Sequence, residues 1–346
     1  MRRPKDGGQA PHILIVGPSW AGDMVMAQVL FKALKRRNPD AVIDVLAPAW
    51  SRPLLQHMPE VDGIIDLPLG HGELGLGKRW RLGRSLKQRG YEQAILLPNS
   101  LKSALIPLFA GIPRRTGWVG ETRYGLLNDI RRLDKTRLPM MVQRFVALAA
   151  PAEADELPAI EAPSLQLEAD EVAQALRVLG LEHASGSLLA LCPGAEFGPA
   201  KRWPSAAYAE LARHYLQRGW RVWLFGSAKD AEVCQEIDRL TDDRCTDLSG
   251  RTTLAQAVAL LSLADGVVSN DSGLMHVAAA LQRPLVVVYG STDPGFTPPL
   301  NPNSRIVRLG LECSPCFKRE CPLGHLDCLN RLPASQVITA LESLLA

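Results

Sequence analysis

Residues 12–36 read HILIVGPSWAGDMVMAQVLFKALKR, and this stretch decides the fold of the first part of the chain. Residues 12–16 are nearly all apolar, as in a strand that is buried on both faces of a parallel sheet. A turn with two glycines follows, and apolar residues then recur at helical spacing from Met24 to Arg36. A buried strand, a glycine turn and a helix begin a βαβ unit, which predicts a doubly wound α/β sheet.

The same alternation of short apolar runs and amphipathic segments continues along the chain. The predicted strands are residues 12–16, 42–47, 63–67 and 93–97 in the first half and 188–192, 221–225, 266–269 and 285–289 in the second. A chain of 346 residues is longer than one hydrophobic core usually supports. We therefore expect a Rossmann-like domain at 1–150, a linker at 151–170 that begins with the acidic, proline-rich PAEADELPAIEAP, a second Rossmann-like domain at 171–330 and a closing helix at 331–346.

The composition narrows the class of protein. Hydrophobic residues make up 47% and charged residues 22%, which is typical of a globular chain and excludes extensive disorder. The longest apolar runs are strand-sized, and residues 1–9 contain no apolar signal region. The seven cysteines are an odd number, and three of them are scattered through ordinary segments, which suits a reducing compartment. These features predict a cytoplasmic protein.

The charge is unevenly divided. Residues 1–150 carry 23 Lys and Arg against 12 Asp and Glu, a net of +11, and the remaining residues carry −8. A basic half attracts nucleic acid, an anionic membrane surface or an anionic substrate. No recognisable nucleic-acid motif accompanies this charge, so we expect an anionic substrate or membrane surface and no nucleic-acid partner.

The turn after the first strand is the first candidate site. Gly17 and Gly22 allow close approach of the backbone to a ligand, and Asp23 begins the following helix. Ligands of open α/β sheets bind at the carboxyl ends of strands, where this turn lies. The alternative is that Asp23 only caps the helix and complements its dipole.

Three further candidate segments lie in the second half. Residues 193–204, PGAEFGPAKRWP, follow a strand and present Lys201, which suits phosphate binding or a solvated surface pair. Residues 269–280, SNDSGLMHVAAA, combine Asp271, Gly273 and His276 at a helix start, where a diphosphate can bind. Residues 225–230, FGSAKD, form another strand-to-helix turn that could hold a nucleoside or could be a simple capped turn.

A cysteine cluster stands apart from these segments. Cys313, Cys316, Cys321 and Cys328 have the spacing C-x2-C-x4-C-x6-C. That density is typical of a structural metal site, although it is not a standard zinc-finger spacing. A structural zinc ion, paired disulfides and free thiols are the alternatives, and none of them suggests a catalytic role.

Taken together, these segments resemble the heptosyltransferases of lipopolysaccharide inner-core synthesis, glycosyltransferase family 9, and within them the members that add the second heptose. The resemblance covers nearly the whole chain. It includes GPSWAGDMVM (17–26), APAWSRPLLQHMPEV (47–61), LPNSLKSALIPLFAGIPRRTGW (97–118), CPGAEFGPAKRWP (192–204) and NDSGLMHVAAAL (270–281).

The resemblance implies a GT-B architecture, with two Rossmann-like domains facing each other across a cleft. It implies an inverting transfer of heptose from ADP-heptose to the first heptose of Kdo2-lipid A, with no cofactor required for catalysis. The acceptor would bind the N-terminal domain and the nucleotide sugar the C-terminal domain. Because that acceptor is a phosphorylated lipid of the inner leaflet, the basic half would also touch the cytoplasmic face of the inner membrane.

The resemblance also carries residue roles. Asp23 matches the family's proposed base, Lys201 its phosphate-binding lysine, and the segment from Asp271 to His276 its donor-binding helix start. The predicted donor-binding set is Glu196, Lys201, Ser227, Asp230, Asp271, Ser272, Gly273 and His276. The predicted acceptor-binding set is Ser19, Trp20, Gly22, Arg52, Lys102, Arg114, Arg115 and Arg123.

Other functions remain as alternatives at this point. The same donor site could serve another nucleotide sugar, or the enzyme could add the first heptose. A Rossmann oxidoreductase is disfavoured because the first turn lacks GxGxxG. A non-catalytic lipid A-binding protein would not need a diphosphate site.

Overall fold

The computed structural model describes residues 10–70, 72–181 and 186–346. The N-terminal residues 1–9, on which the expectation of an uncleaved cytoplasmic start rests, lie outside this part. The chain divides into two compact units, Met1–Glu161 and Ala162–Ala346. The division falls inside the segment 151–170, where the sequence predicts a linker.

The first unit contains a six-stranded parallel sheet with the strand order β3-β2-β1-β4-β5-β6. This is the order of a dinucleotide-binding Rossmann sheet, in which β1 to β3 are added toward one side of the sheet and β4 to β6 toward the other. The strands are β1 His12–Val16, β2 Val42–Ala47, β3 Gly63–Asp66, β4 Gln93–Leu96, β5 Arg114–Trp118 and β6 Asp129–Arg131. The helices are α1 Ala21–Arg37, α2 Arg52–Gln56, α3 Leu76–Leu86, α4 Leu105–Phe109 and α5 Met141–Val146.

The second unit repeats this topology. Its sheet has the order β12-β11-β10-β7-β8-β9, which is the same arrangement when the strands are counted from β7. The strands are β7 Leu188–Cys192, β8 Arg221–Leu224, β9 Thr246–Asp247, β10 Gly266–Asn270, β11 Leu285–Val288 and β12 Ser304–Val307. The helices are α6 Ala169–Leu179, α7 Ser205–Leu216, α8 Ala231–Leu240, α9 Leu254–Leu261, α10 Gly273–Ala280, α11 Asp327–Asn330 and α12 Ala334–Leu345.

The predicted fold class, α/β with two Rossmann-like parallel sheets, is confirmed. All eight strands expected from the sequence are present, and their ends differ by at most one residue. The sequence did not indicate β5, β6, β9 and β12. These strands are short or polar: β5 begins with two arginines, β9 has two residues, and two residues of β12 are exposed.

The central strands form the core of each unit. The side chains of β7 are all buried, and Trp203 and Tyr208 are fully buried beside them. The closing helix α12 buries Val337 and Leu341 in the same core. In the described part of the chain, no helix combines the length and the apolar character needed to cross a bilayer.

Candidate active site

The first group of candidate residues lies where two neighbouring strands of the second sheet end. β7 and β10 pair in parallel, with Ser269 opposite Cys192. The segments that follow them therefore leave the sheet at the same edge, which is the ligand-binding edge of open α/β sheets. One segment is residues 193–204, which we call the lysine loop because it carries Lys201. The other begins with Asp271.

Lys201 and Asp271 form a largely buried ion pair. The Lys201 Nζ lies 2.6 Å from Asp271 Oδ2, and the two side chains are 14% and 4% exposed. The hydroxyl of Thr292 donates to the same carboxylate oxygen at 2.6 Å. A buried carboxylate is stable only when it is paired and hydrogen-bonded, and these two groups meet that need. The ammonium group is thereby held at the edge of the sheet.

Asn270 fixes the path of the lysine loop from inside the protein. Its Nδ2 donates to the Pro193 carbonyl oxygen at 2.6 Å. Its Oδ1 accepts bonds from the Trp203 amide and the Tyr208 hydroxyl, both at 3.1 Å. One fully buried amide side chain thus ties the beginning of the loop to its end. Asn270 was not among the sequence-predicted residues, although it directly precedes Asp271.

The amino end of α10 lies beside the ion pair. Ser272 precedes the helix in an extended conformation, Gly273 is its first residue, and both are partly exposed. His276 lies in the first turn and is buried. Burial lowers the pKa of His276 to about 4, with Lys201 also lowering it and Asp271 opposing. Near neutral pH the imidazole is therefore uncharged, and the positive charge at this helix start comes from Lys201 and the backbone amides.

The turn after β8 has a clear local role. The Asp230 carboxylate accepts bonds from the amide and hydroxyl of Ser227, at 2.9 and 2.8 Å. A Cβ at Gly194 would come within 2.4 Å of the same carboxylate, so the two turns lie in direct contact. Glu196 is exposed and pairs with Lys229 at 2.5 Å. These contacts shape the turn, and donor binding by Ser227, Asp230 and Glu196 remains a prediction.

The cysteine loop, residues 313–328, supports the lysine loop. The Arg319 carbonyl oxygen accepts a bond from the Ala200 amide at 3.0 Å. A Cβ at Gly198 would come within 2.5 Å of that oxygen, so only glycine fits there. The centre of the Phe197 ring lies 5.0 Å from the Lys201 ammonium and 5.5 Å from the Arg319 guanidinium. The cysteine loop is therefore part of the structure that positions Lys201.

The four cysteines of this loop line one small cavity, which Ala200 and His325 also border. All seven cysteines of the chain are free thiols. The backbone amides of residues 323–326, that of Leu326 above all, donate to Cys321 and lower its pKa. Over the described residues, however, no group of three or more His, Cys, Asp or Glu side chains is arranged to hold a metal ion. The thiols suit zinc chemically, but this arrangement does not support the zinc hypothesis.

Asp23 lies at the corresponding edge of the first sheet. It is the third residue of α1 and is half-buried, and Ser19 and Trp20 before it are exposed. An acidic residue in the first turn complements the helix dipole whatever else it does. A Cβ at Gly17 would come within 2.9 Å of Met24 Cε, so this glycine also eases packing against the first turn of α1. Close approach of a ligand to the backbone at this turn remains a prediction.

The predicted acceptor-binding arginines fall in different places. Arg52 is partly exposed at the start of α2 and pairs with Asp66 at 2.8 Å. Lys102 follows β4 and is partly exposed. Arg114 and Arg115 begin β5, so they lie at the amino edge of the sheet, opposite to the ligand-binding edge. This placement argues against a role for Arg114 and Arg115 in acceptor binding.

Arg123, which was predicted to bind the acceptor, is buried. It is 1% exposed, and its guanidinium donates to the Pro98 carbonyl at 2.8 Å and to the Trp118 carbonyl. Ser103 Oγ and Asn99 Oδ1 lie at 3.3 and 3.4 Å. A guanidinium with these partners holds the loop after β4 in place. The structure therefore corrects Arg123 from an acceptor contact to a support of that loop.

Comparisons with known proteins identify the family of this chain. The model of glycosyltransferase family 9 (heptosyltransferase) matches residues 79–327. The chain is 50% identical over 343 residues to lipopolysaccharide heptosyltransferase 2 of Salmonella typhimurium, covering 96% of this chain and 98% of that protein. It is 48% identical over 342 residues to lipopolysaccharide heptosyltransferase 2 of Escherichia coli, with 96% and 98% covered. The solved structure of Escherichia coli ADP-heptose lps heptosyltransferase II superimposes with a TM-score of 0.87 at 46% identity, covering 96% of this chain and 98% of that one. The chain belongs to glycosyltransferase family 9, the heptosyltransferase family.

Proposed function

We propose that this protein transfers L-glycero-D-manno-heptose from ADP-heptose to the first heptose of Kdo2-lipid A, the second heptose addition of lipopolysaccharide core synthesis. The observation that carries the proposal is the near full-length identity of 48–50% to two lipopolysaccharide heptosyltransferases 2. The held Lys201 ammonium beside the amino end of α10 supports it, because a nucleotide diphosphate needs such a site.

The donor is assigned to the second unit. Lys201 supplies a point charge and the first amides of α10 supply directional donors for the departing ADP. A neutral His276 leaves these groups as the sources of positive charge at the helix start. Since they can stabilise the leaving diphosphate, we propose that the reaction needs no divalent metal and no organic cofactor.

The acceptor is assigned to the first unit, with Asp23 as the base. A sugar hydroxyl is a poor nucleophile near neutral pH, and a carboxylate in hydrogen-bond reach can take its proton as the new bond forms. Direct attack on the anomeric carbon inverts its configuration. The protein is proposed to act in the cytoplasm at the inner membrane surface, where a lipid acceptor is accessible.

A turnover assay with ADP-heptose and mono-heptosylated Kdo2-lipid A tests the reaction. Other nucleotide sugars and the heptose-free acceptor are the controls for donor and acceptor identity. Absence of transfer to the mono-heptosylated acceptor by folded protein would refute the proposal.

The Asp23→Asn variant tests the base. Asparagine keeps the size and polarity of the side chain, and loss of one negative charge from the first turn of a helix costs only about 0.3–1 kcal/mol, but asparagine cannot accept the proton. We expect turnover to fall about 10²–10⁴-fold, the usual range for loss of a general base, with little change in ADP-heptose affinity. Near-normal turnover would show that Asp23 acts only at the helix terminus. Asp40→Asn, an exposed site two residues before β2 and so at the amino edge of the sheet, is the control.

A further inference from the structure

The large hydrophobic side chains that are exposed in the first unit are concentrated at one edge of its sheet. Among the described residues, all of these large side chains follow the carboxyl ends of strands. They are Trp20 after β1, Trp50 after β2, Leu74, Leu76 and Trp80 after β3, Leu101 after β4 and Tyr124 after β5. Because parallel strands end at the same edge, these side chains lie along it. Single exposed apolar residues need no explanation, but a concentration of them marks an interaction surface.

Helix α3 carries the densest part of this concentration, and its inner face is tightly fixed. A Cβ at Gly83 would come within 2.5 Å of Phe109 Cβ and 2.8 Å of the Ile106 carbonyl oxygen. The helix therefore lies directly against α4. Leu86 is buried on the same side.

A buried arginine fixes the start of this helix as well. Arg79 is 4% exposed, and it donates to three backbone carbonyl groups. These belong to Glu73, Leu74 and Lys102, at 3.1, 2.6 and 3.1 Å. The hydrogen bonds of Arg79 thus fix the start of α3. They hold the outer face of the helix in a defined orientation toward solvent.

That outer face combines apolar and basic side chains. Leu76 and Trp80 are one helical turn apart and are 54% and 52% exposed. Arg81, Arg84 and Lys87 are exposed beside them. Within the described part of the chain, Arg84 and Lys87 have no ion-pair partner. We call Leu76, Trp80, Arg81 and Arg84 the α3 face.

We propose that the α3 face docks this protein on an anionic lipid bilayer surface. The net charge of +11 on residues 1–150 complements anionic headgroups. A tryptophan indole is suited to the headgroup boundary, where one part of the ring is apolar and the N–H is wet. Leu76, and Leu74 before the helix, favour a bilayer over a free saccharide phosphate. Burial of an aliphatic side chain in hydrocarbon stabilises the bound state, whereas contact with a hydrated sugar does not.

This inference rests on the proposed function only in that a lipid acceptor places the enzyme at a membrane. The expected change in vesicle binding follows from the side chains that are substituted. Each exposed Lys or Arg near an anionic surface contributes about fivefold in partition, so reversing two of them should lower binding at least tenfold. Removing the two apolar side chains should lower it about tenfold as well.

Vesicle sedimentation of the full chain, without acceptor or donor, tests the docking. Vesicles of phosphatidylethanolamine with 30% phosphatidylglycerol are compared with pure phosphatidylcholine. We expect wild-type protein to bind the anionic vesicles, salt to weaken this binding, and both Arg81→Glu/Arg84→Glu and Leu76→Ala/Trp80→Ala to bind them about tenfold or more weakly. Val178→Ala and Arg305→Glu, exposed positions of the second unit, are matched controls and should bind as wild type does. Circular dichroism establishes that each variant is folded.

Two results would overturn the inference. One is wild-type protein that prefers anionic vesicles no more than neutral ones, and the other is α3-face variants that bind them normally. Transfer to a deacylated, water-soluble acceptor is measured in parallel. A protein that transfers heptose to it but ignores vesicles refutes the docking alone, and a protein that binds vesicles but transfers nothing refutes the proposed function alone. Loss of affinity for the deacylated acceptor in the variants, without vesicle binding by wild type, would assign the face to the saccharide instead.

Discussion

The buried pair of Lys201 and Asp271 gives the sharpest quantitative prediction. Removing one partner of a buried ion pair typically costs about 3–5 kcal/mol, because the other charge is left uncompensated. Lys201 keeps some contact with water, being 14% exposed, so Asp271→Asn should cost about 2 kcal/mol. Lys201→Met leaves a carboxylate that is 4% exposed with the Thr292 hydroxyl as its neighbour, and should cost about 4 kcal/mol.

The double variant, Lys201→Met with Asp271→Asn, separates the pair from its surroundings. With both charges removed, neither is left buried alone, and the amide oxygen introduced by the second substitution could still accept the Thr292 hydrogen bond. We expect the double variant to be less stable than wild type by about 3 kcal/mol, which makes the coupling energy about 3 kcal/mol. The exposed pair of Lys229 and Glu196, with side chains 72% and 52% exposed, is the control and should couple by less than about 1 kcal/mol.

Urea unfolding followed by tryptophan fluorescence measures these free energies. Trp203 and Trp223 are buried in the second unit and report its transition, which must be fitted separately from that of the first unit. ADP affinity is measured for the same variants, and Lys201→Met and Asp271→Asn should both weaken it. Additive losses, within about 0.5 kcal/mol, would refute the ion pair. Unchanged ADP affinity and turnover in both single variants would refute the donor-site assignment.

Two further predictions concern His276 and the cysteine loop. The pKa of His276 is near 6.5 in the unfolded chain and about 4 in the folded protein, because burial disfavours the charged imidazole. The stability that the neutral imidazole contributes is therefore present above pH 6.5 and is lost as the pH falls from 6.5 to 4. In this pH window, His276→Gln should reduce the slope of the unfolding free energy against pH by about 1.4 kcal/mol per pH unit. An unchanged slope would contradict the lowered pKa of His276. Because the thiols of the cysteine loop are not arranged to hold a metal ion, we expect a strong chelator to leave the stability of the purified protein unchanged, whereas about one metal ion per chain and a loss of stability with the chelator would support the zinc hypothesis.

Sequence alone determined the features that depend on local periodicity. Runs such as residues 188–192 are apolar at every position because both faces of a parallel strand are buried, and this pattern does not depend on the neighbours. Glycine turns directly after such strands also indicated which loops lie at the ligand-binding edge. The segments around Lys201 and Asp271, which we propose bind the donor, are indicated in this way, and the structure brings them together. The sequence pattern does not predict β5 and β12, because their arginines and exposed residues interrupt the apolar run.

Only the tertiary structure decided which polar residues are used inside the protein. Arg123 and Arg79 look like surface cations in the sequence, yet both are buried on backbone carbonyls that lie far from them in sequence or in neighbouring turns. Arg114 and Arg115 lie in a segment that resembles the family, but they begin β5. They therefore lie at the amino edge of the sheet, opposite to the ligand-binding edge. Thr292 is 21 residues from Asp271, and its hydroxyl reaches the carboxylate only because β10 and β11 are paired. Burial and long-range hydrogen bonds are properties of the packed chain, and no local pattern encodes them.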